Sequence, residues 1–213
     1  MRPLSVSPDT RVRLSAKQRR EQLLDVTKEL VGERGFHGLS VDAVARRAGI
    51  SRPIVYSHFG DLGGLLEAML ERESAGALQQ LSEVLPEDFE LDGQDPQAPL
   101  LAALRGYLEA VRSDPVRWRM VLMPPEGAPE LLREQIRDGR DAVIAILTAY
   151  VERGDSPTQA SPDPELTARL LSAAADEAAR LLLTHPRKFS IERLTDHAAW
   201  LLGRLSESAG TRA

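Results

Sequence analysis

No cysteine occurs among the 213 residues, which excludes disulfides, thiol nucleophiles and Cys-ligated metals and is ordinary for a reducing compartment. Aromatic residues make up only 4% of the chain, so its core has to be built from Leu, Ala and Val rather than from rings. Long apolar runs are missing as well: stretches such as Ala142–Leu147 fall far short of the roughly 18 residues of a membrane span. The early arginines are followed by no apolar segment of the kind a secretory signal carries. The expectation is a soluble, cytoplasmic protein with no membrane partner. Catalytic patterns are equally scarce. His37, His58, His185 and His197 share no metal-ligand spacing, and no H-E-x-x-H, G-x-S-x-G or phosphate-cradling glycine loop is present. Adjacent acids such as Asp176 and Glu177 point apart on a helix, which suits a solvated face better than acid–base chemistry. No catalytic residue, metal or cofactor is expected, and no enzyme.

The overall charge of −5 argues at first against a nucleic-acid binder, but its distribution points the other way. Residues 1–66 hold 11 Lys/Arg against 7 Asp/Glu, whereas the remainder holds 16 against 25. A basic N-terminal module on an acidic body is the asymmetry expected when one end meets phosphates.

Within that module, Ser40–Gly60 reads as two short helices and a tight turn. Ser40 suits an N-cap, with Asp42 in the first turn where the helix dipole favours an acid. Val41, Val44, Ala45 and Ala48 recur on one helical face. Gly49 is the residue type that stops a helix in the left-handed conformation, with Ile50 plugging the corner behind it. Ser51 is the cap of the next helix, whose first turn tolerates Pro53. Val55 and Phe59 face inward and leave Arg52, Ile54, Tyr56, Ser57 and His58 pointing elsewhere. This is a helix-turn-helix whose second helix is short enough to enter a major groove. Arg52 at its start suits bidentate pairing with guanine, and Ile54 offers apolar surface to a thymine methyl. Tyr56 and His58, polar tips on apolar bodies, suit backbone phosphates, as do the hydroxyls or amides of Ser40 and Ser51.

The surrounding segment adds an amphipathic first helix, Ala16–Arg34, with Leu23, Val26, Leu30 and Val31 in one stripe. Gly35 stops it, and Phe36 is placed under the helix-turn-helix. Lys17, Arg19 and Arg20 oppose the dipole of that helix, which fits nearby phosphates or ordinary surface charge. Then follow Ala-Gly-Ile-Ser (48–51), Tyr56-x-His58-Phe59, and a fourth helix capped by Asp61 and running to about Leu85. In this order, from Ala16 to about Met69, the pattern resembles the tetracycline-repressor (TetR) family of transcriptional regulators. The resemblance implies DNA contacts from Ser40, Ser51, Arg52, Pro53, Ile54, Tyr56, Ser57 and His58, a homodimer and a small-molecule effector. Two positions depart from it. Leu62 stands where the family usually has a phosphate-gripping lysine, and Asp42 where some relatives carry a base-reaching basic residue. Gly63 and Gly64 weaken the first turn of the fourth helix, either as a soft joint or to permit close packing.

The fold class expected is all-α, with about nine helices. Residues 1–15 form a flexible arm whose Arg2, Arg11 and Arg13 are either solvated or able to touch DNA. Residues 16–62 form a helix-turn-helix domain of three helices, and 63–213 a bundle for ligand binding and dimerisation. Loops are expected over Pro86–Pro99 and Gly154–Pro164. Helices are expected at Leu100–Arg112, Val116–Met123, Glu130–Arg153, Glu165–Thr184 and Ile191–Leu205. In the third of these Leu131, Ile136, Val143, Ile146, Leu147, Tyr150 and Val151 point mainly inward. The last two are apolar over more than one face, through Leu166, Leu170, Leu171, Leu181 and Leu182, then Leu194, Trp200, Leu201, Leu202 and Leu205. Such helices need burial on two sides, and a symmetric four-helix dimer interface provides the second. Tyr107, Trp118, Met120, Met123, Tyr150 and Phe89 are candidates to line an effector pocket, with Arg117 and Arg119 available to an anion. The same residues also suit plain core.

The function expected is therefore a ligand-responsive regulator, a repressor by occupancy, binding a palindromic double-stranded operator as a homodimer and released by a small molecule. Two alternatives stay open: a DNA-binding protein without an effector, and a helical small-molecule-binding protein or enzyme with a vestigial helix-turn-helix.

Overall fold

The computed structural model describes residues 14–84, 97–124, 127–152 and 161–210, with no side chains beyond 204. Arg2, Arg11, Arg13, Leu85, Phe89, the side chain of Leu205 and most of both expected loops lie outside the described residues. All regular structure within them is helical: α1 (Ala16–Arg34), α2 (Val41–Ala48), α3 (Arg52–Phe59), α4 (Leu62–Val84), α5 (Ala98–Ser113), α6 (Pro115–Leu122), α7 (Glu130–Glu152), α8 (Pro164–Thr184) and α9 (Ile191–Gly210). The protein is all-α, as its sequence periodicity implies. Among the described residues no helix is long and apolar enough to cross a membrane.

Local chemistry accounts for the ends. Ser15 Oγ accepts from the Gln18 amide at 3.2 Å while the Gln18 side chain accepts from the Ser15 amide at 2.9 Å. This capping box satisfies two amides that α1 would otherwise leave open, and it offsets the basic residues of the first turn. The Ser40 hydroxyl accepts from the Ala43 amide to cap α2, and Gly49 ends that helix at φ 67°, ψ 34°. Asp61 caps the start of α4 by accepting from the Gly64 amide at 2.8 Å.

The paired glycines there answer to packing. A Cβ on Gly64 would collide with the Phe59 carbonyl oxygen, a backbone atom that cannot rotate away. Gly64→Ala should therefore destabilise the fold by about 1–3 kcal/mol, as overpacking does, instead of stabilising a helix interior. Thermal unfolding of the variant beside Gly63→Ala, where only the Asp61 side chain is near, separates the two effects.

Among the described residues, apolar side chains gather in three clusters. The first joins Leu23, Leu30, Val31, Phe36, Val44, Val55, Leu65 and Met69, and takes in Met120 from α6, Ala128 from the segment between α6 and α7, and Leu132 from the start of α7. The core under the helix-turn-helix is thus completed by residues that come from the body. The second cluster packs Tyr107, Leu108, Val111 and Trp118 against Leu182, Leu183 and Ile191. The third packs Leu100, Ala103, Ile144, Leu147, Tyr150 and Val151 against Ala168 and Leu202. In α7 the fully buried stripe runs through Leu132, Ile144, Leu147, Tyr150 and Val151. Leu131, Ile136, Val143 and Ile146, also expected inward, are half-buried on its flanks.

A polar junction ties α1, α4 and α6 together. Glu73 on α4 is only 4% exposed and accepts from Lys28 of α1 at 2.7 Å, Arg117 of α6 at 2.8 Å and Arg72 at 2.9 Å. Lys28 also reaches Asp114, the cap of α6, at 2.5 Å. The Arg117 guanidinium lies over Gly76, where a Cβ would come within 2.7–2.9 Å of it. Arg117, a candidate for an anionic ligand by sequence, is occupied by this protein's own carboxylates.

Candidate nucleic-acid interface

The reading head is built from α2 and α3, crossing at the Gly49 turn. Val55 is fully buried and Phe59 half-buried against the first cluster, which fixes the roll of α3. A helix of only eight residues has little else of its own to set that roll. Arg20 of α1 clamps its far end. Its guanidinium lies 4.4 Å from the Phe59 ring centroid, and its Nη1 donates to the His58 carbonyl oxygen at 3.2 Å. Arg20 therefore positions α3, a role sequence spacing did not reveal.

With that roll set, the opposite side of α3 is open. Arg52, Pro53, Ile54, Tyr56 and Ser57 are exposed, Ile54 to 37% and Tyr56 to 48%, while His58 is half-buried. Ile54 and Tyr56 thus offer apolar surface to a partner on the same side as Arg52. Ser51 occupies the N-cap position of α3, but its hydroxyl makes no capping bond, and it is exposed next to Arg52. Ser40 lies at the N-cap of α2, exposed, with its hydroxyl held by the Ala43 amide. The Ser57 hydroxyl donates back to the Ile54 carbonyl at 2.8 Å.

Asp42, in the first turn of α2, pairs through Oδ1 with Arg52 Nε across the angle between α2 and α3. Arg47, near the end of α2, is drawn aside by a two-pronged contact with Glu33 at 3.0 and 2.7 Å. Leu62, in the place of a phosphate-gripping lysine, is half-buried against the first cluster.

The five candidate ligand-lining residues that the structure describes, all but Phe89, are not brought together. Met120 packs in the core beneath the helix-turn-helix, Tyr150 is fully buried in the third cluster, and only Tyr107, Trp118 and Met123 share the second. Tyr107 and Trp118 meet edge to face at 5.2 Å. The Tyr107 hydroxyl donates to Asp176 at 3.1 Å, and Trp118 Nε1 donates to Gln80 at 3.1 Å. Burial, with the Asp176 carboxylate beside it, pushes the Tyr107 hydroxyl well above its usual range. Bordering the second cluster is an open cleft of about 220 Å³ whose wall includes Arg112, Arg119, Leu182, Leu183 and Ile191. No residue of the expected five lines it. The sequence signal that would have found it is the pair of arginines, seven apart, on either side of the Asp114-Pro115 break.

Comparison with known proteins agrees with this geometry. Residues 23–69 match the family of bacterial regulatory proteins, tetR family. The transcriptional activator FasR of Mycolicibacterium smegmatis is 26% identical over 94% of this chain and 89% of its own length. The transcriptional regulator BetI of Yersinia pestis is 36% identical, over 43% of this chain and 44% of its own. A TetR-like transcriptional regulator from Rhodococcus sp. RHA1 superposes with a TM-score of 0.70 at 25% identity, covering 93% of this chain and 99% of that one. The helix-turn-helix segment, matched from α1 into α4, thus carries the tetR-family pattern, and the chain as a whole is similar to TetR-like transcriptional regulators.

Proposed function

We propose that this protein is a ligand-responsive repressor that binds a palindromic operator as a homodimer. The observation that carries the reading is the pairing of two uncovered surfaces. One is the face of α3 that bears Arg52, Ile54 and Tyr56. The other is an apolar face on α8 and α9, where Leu170 is 63% and Trp200 55% exposed, with Leu166 and Leu201 beside them. Leucines and a tryptophan left in water on two consecutive helices favour a second copy of the chain, and two-fold symmetry then duplicates the helix-turn-helix. In this reading residues 16–62 are the DNA-binding unit, 63–213 the ligand-binding and dimerisation unit, and 1–15 an arm.

Arg52 and Ile54 read bases, while Ser40, Ser51, Pro53, Tyr56, Ser57 and His58 hold the backbone. The effector enters the body by the cleft between Arg112 and Arg119, whose apolar floor belongs to the same cluster as Tyr107, Trp118 and Met123. Arg112 and Arg119 over leucine and isoleucine, with Glu192 in the same wall offsetting one of the two charges, favour a small molecule with an apolar portion and an anionic group. Arg119 already donates to the Leu183 carbonyl at 3.2 Å, so a ligand that competes for it disturbs α6, and α6 meets α1 and α4 at the Glu73 junction. Release follows if the effector prefers the spacing of reading heads that does not fit DNA.

Transcription in vitro from a promoter carrying the selected operator tests this. The protein lowers transcript yield, and a panel of carboxylates and phosphate esters contains a compound that restores it with wild-type protein but not with Arg119→Gln. A rise in transcript on adding protein assigns activation, the activity in the name of FasR. A panel without effect on DNA binding favours a regulator that answers to no effector.

A further inference from the structure

Asp42 suits the first turn of α2 by its charge alone, and its exposed ion pair with Arg52 adds little stability, since both ends lie in solvent at 45% and 62% side-chain exposure. It also sets an acid on the face that meets DNA, which long-range electrostatics opposes. Its geometry gives it a use. Arg52 is the first residue of α3, the end of a recognition helix that reaches base edges. Asp42, from the first turn of α2, pairs with the guanidinium at Nε, the nitrogen nearest the side-chain stem, an arrangement compatible with the two terminal nitrogens meeting another acceptor. Those two nitrogens form the fork that matches the O6 and N7 acceptors of guanine.

We propose that Asp42 is a specificity-determining residue that acts through Arg52, holding its side chain extended so that the operator must present guanine beneath the start of α3. This rests on the DNA-reading role given above and deepens it. A free arginine can swing to a neighbouring phosphate and bind any sequence. An arginine fixed by a carboxylate gives up that option, and the rotamer entropy of binding is spent before DNA arrives. Asp42 also penalises a displaced guanidinium, because its own charge is left facing phosphate whenever Arg52 is not aligned. The acid thus weakens binding to every sequence and weakens it least for the right one.

The two effects have opposite signs, and that makes the test sharp. The full-length protein, Asp42→Ala, Asp42→Asn, Arg52→Ala and the double variant are titrated by fluorescence anisotropy at fixed salt. Three duplexes serve: the selected operator, the operator with its guanine replaced in each half-site, and an unrelated sequence. The wild type is expected to prefer the guanine by about tenfold or more, the scale of one bidentate contact. Asp42→Ala binds the unrelated duplex as tightly as wild type or more so, and loses most of the guanine preference. Asp42→Asn, which keeps an acceptor for Nε, recovers part of it. The double variant is no less selective than Arg52→Ala alone. A variant that merely loosened α2 would weaken binding to all three duplexes together, and circular dichroism melting identifies it. Asp42→Ala that binds the operator more tightly with its guanine preference intact overturns the proposal and leaves the DNA reading standing. A wild type without any sequence preference overturns both.

Discussion

Glu73→Ala should lower the stability of the folded protein by about 3–5 kcal/mol, the usual loss when one partner of a buried charge cluster is removed. The size follows from what stays behind. Lys28, Arg72 and Arg117 all converge on that carboxylate, and without it Lys28 and Arg117 share the single charge of Asp114 while Arg72 keeps only its more exposed partners Glu21 and Asp25. Glu73→Gln preserves the volume but not the charge and should lose nearly as much, whereas Glu73→Ala combined with Arg117→Met should recover part of the loss. Chemical denaturation monitored through Trp118, one of only two tryptophans, measures all of these. A loss below about 1 kcal/mol, the value of an exposed pair, would mean that solvent screens the junction.

The same junction sets an acid limit. Burial alone would raise the Glu73 carboxyl, but hydrogen bonds and charge from Lys28 and Arg117 outweigh it and hold the group below its ordinary value of 4.5. Asp114 shows the same balance around its value of 3.8, with Lys28 and the Arg117 amide as the partners that win. For a carboxyl lowered in the folded state, the folded protein binds fewer protons than the unfolded chain at mildly acid pH. The stabilisation is therefore complete above the ordinary carboxylate range and is lost as pH falls below it through the lowered values. Melting temperature should be flat from neutrality down to the ordinary carboxylate values and should fall steeply beneath them, and Glu73→Gln should flatten that fall.

The second large effect is expected at the uncovered face of α8 and α9. Leu170→Arg places a charge on a side chain that touches little within one chain, so the folded monomer should keep its stability within about 0.5 kcal/mol. In a symmetric interface the same charge meets its own copy. The variant should sediment as a monomer and bind operator DNA on the order of 10²–10⁴ times more weakly, because the second half-site no longer benefits from being tethered. Trp200→Arg, stacked at 5.4 Å on His197, should behave alike. A dimer that survives both substitutions would place the interface elsewhere.

Much of this was legible in the sequence because it rests on local rules. Ser40, Gly49, Pro53 and Asp61 mark helix ends by their own backbone and side-chain chemistry, and the observed helices begin and end at or next to those residues. The apolar stripes of α1 and α3 follow from period alone. What spacing could not convey were contacts between residues distant in the chain. By sequence Arg20 suits phosphate or surface charge, Arg117 an anion and Asp42 the first turn of a helix, yet the first holds α3, the second sits in a buried junction and the third pairs with Arg52. Each outcome depends on which helix crosses nearby. Met120 illustrates the same limit for apolar residues: its position on α6 suited a pocket wall equally well, and only the crossing of α6 over α1 puts it in the core beneath the reading head. Gly64 is legible as a weak helix former, but its reason is the Phe59 carbonyl, which only the turn between α3 and α4 brings close.

If the outward face of α3 reads DNA sequence in a two-fold arrangement, selection from random duplex DNA at physiological salt will show it directly. Wild-type protein, Arg52→Ala and Tyr56→Ala are run side by side. The wild type should enrich a site with two inverted half-sites. Arg52→Ala should lose the base preference at one position in each half, and Tyr56→Ala should bind more weakly with the preference unchanged. An enriched site without two-fold symmetry, or one that both variants select as the wild type does, would mean that α3 is not the element that reads the operator in this way.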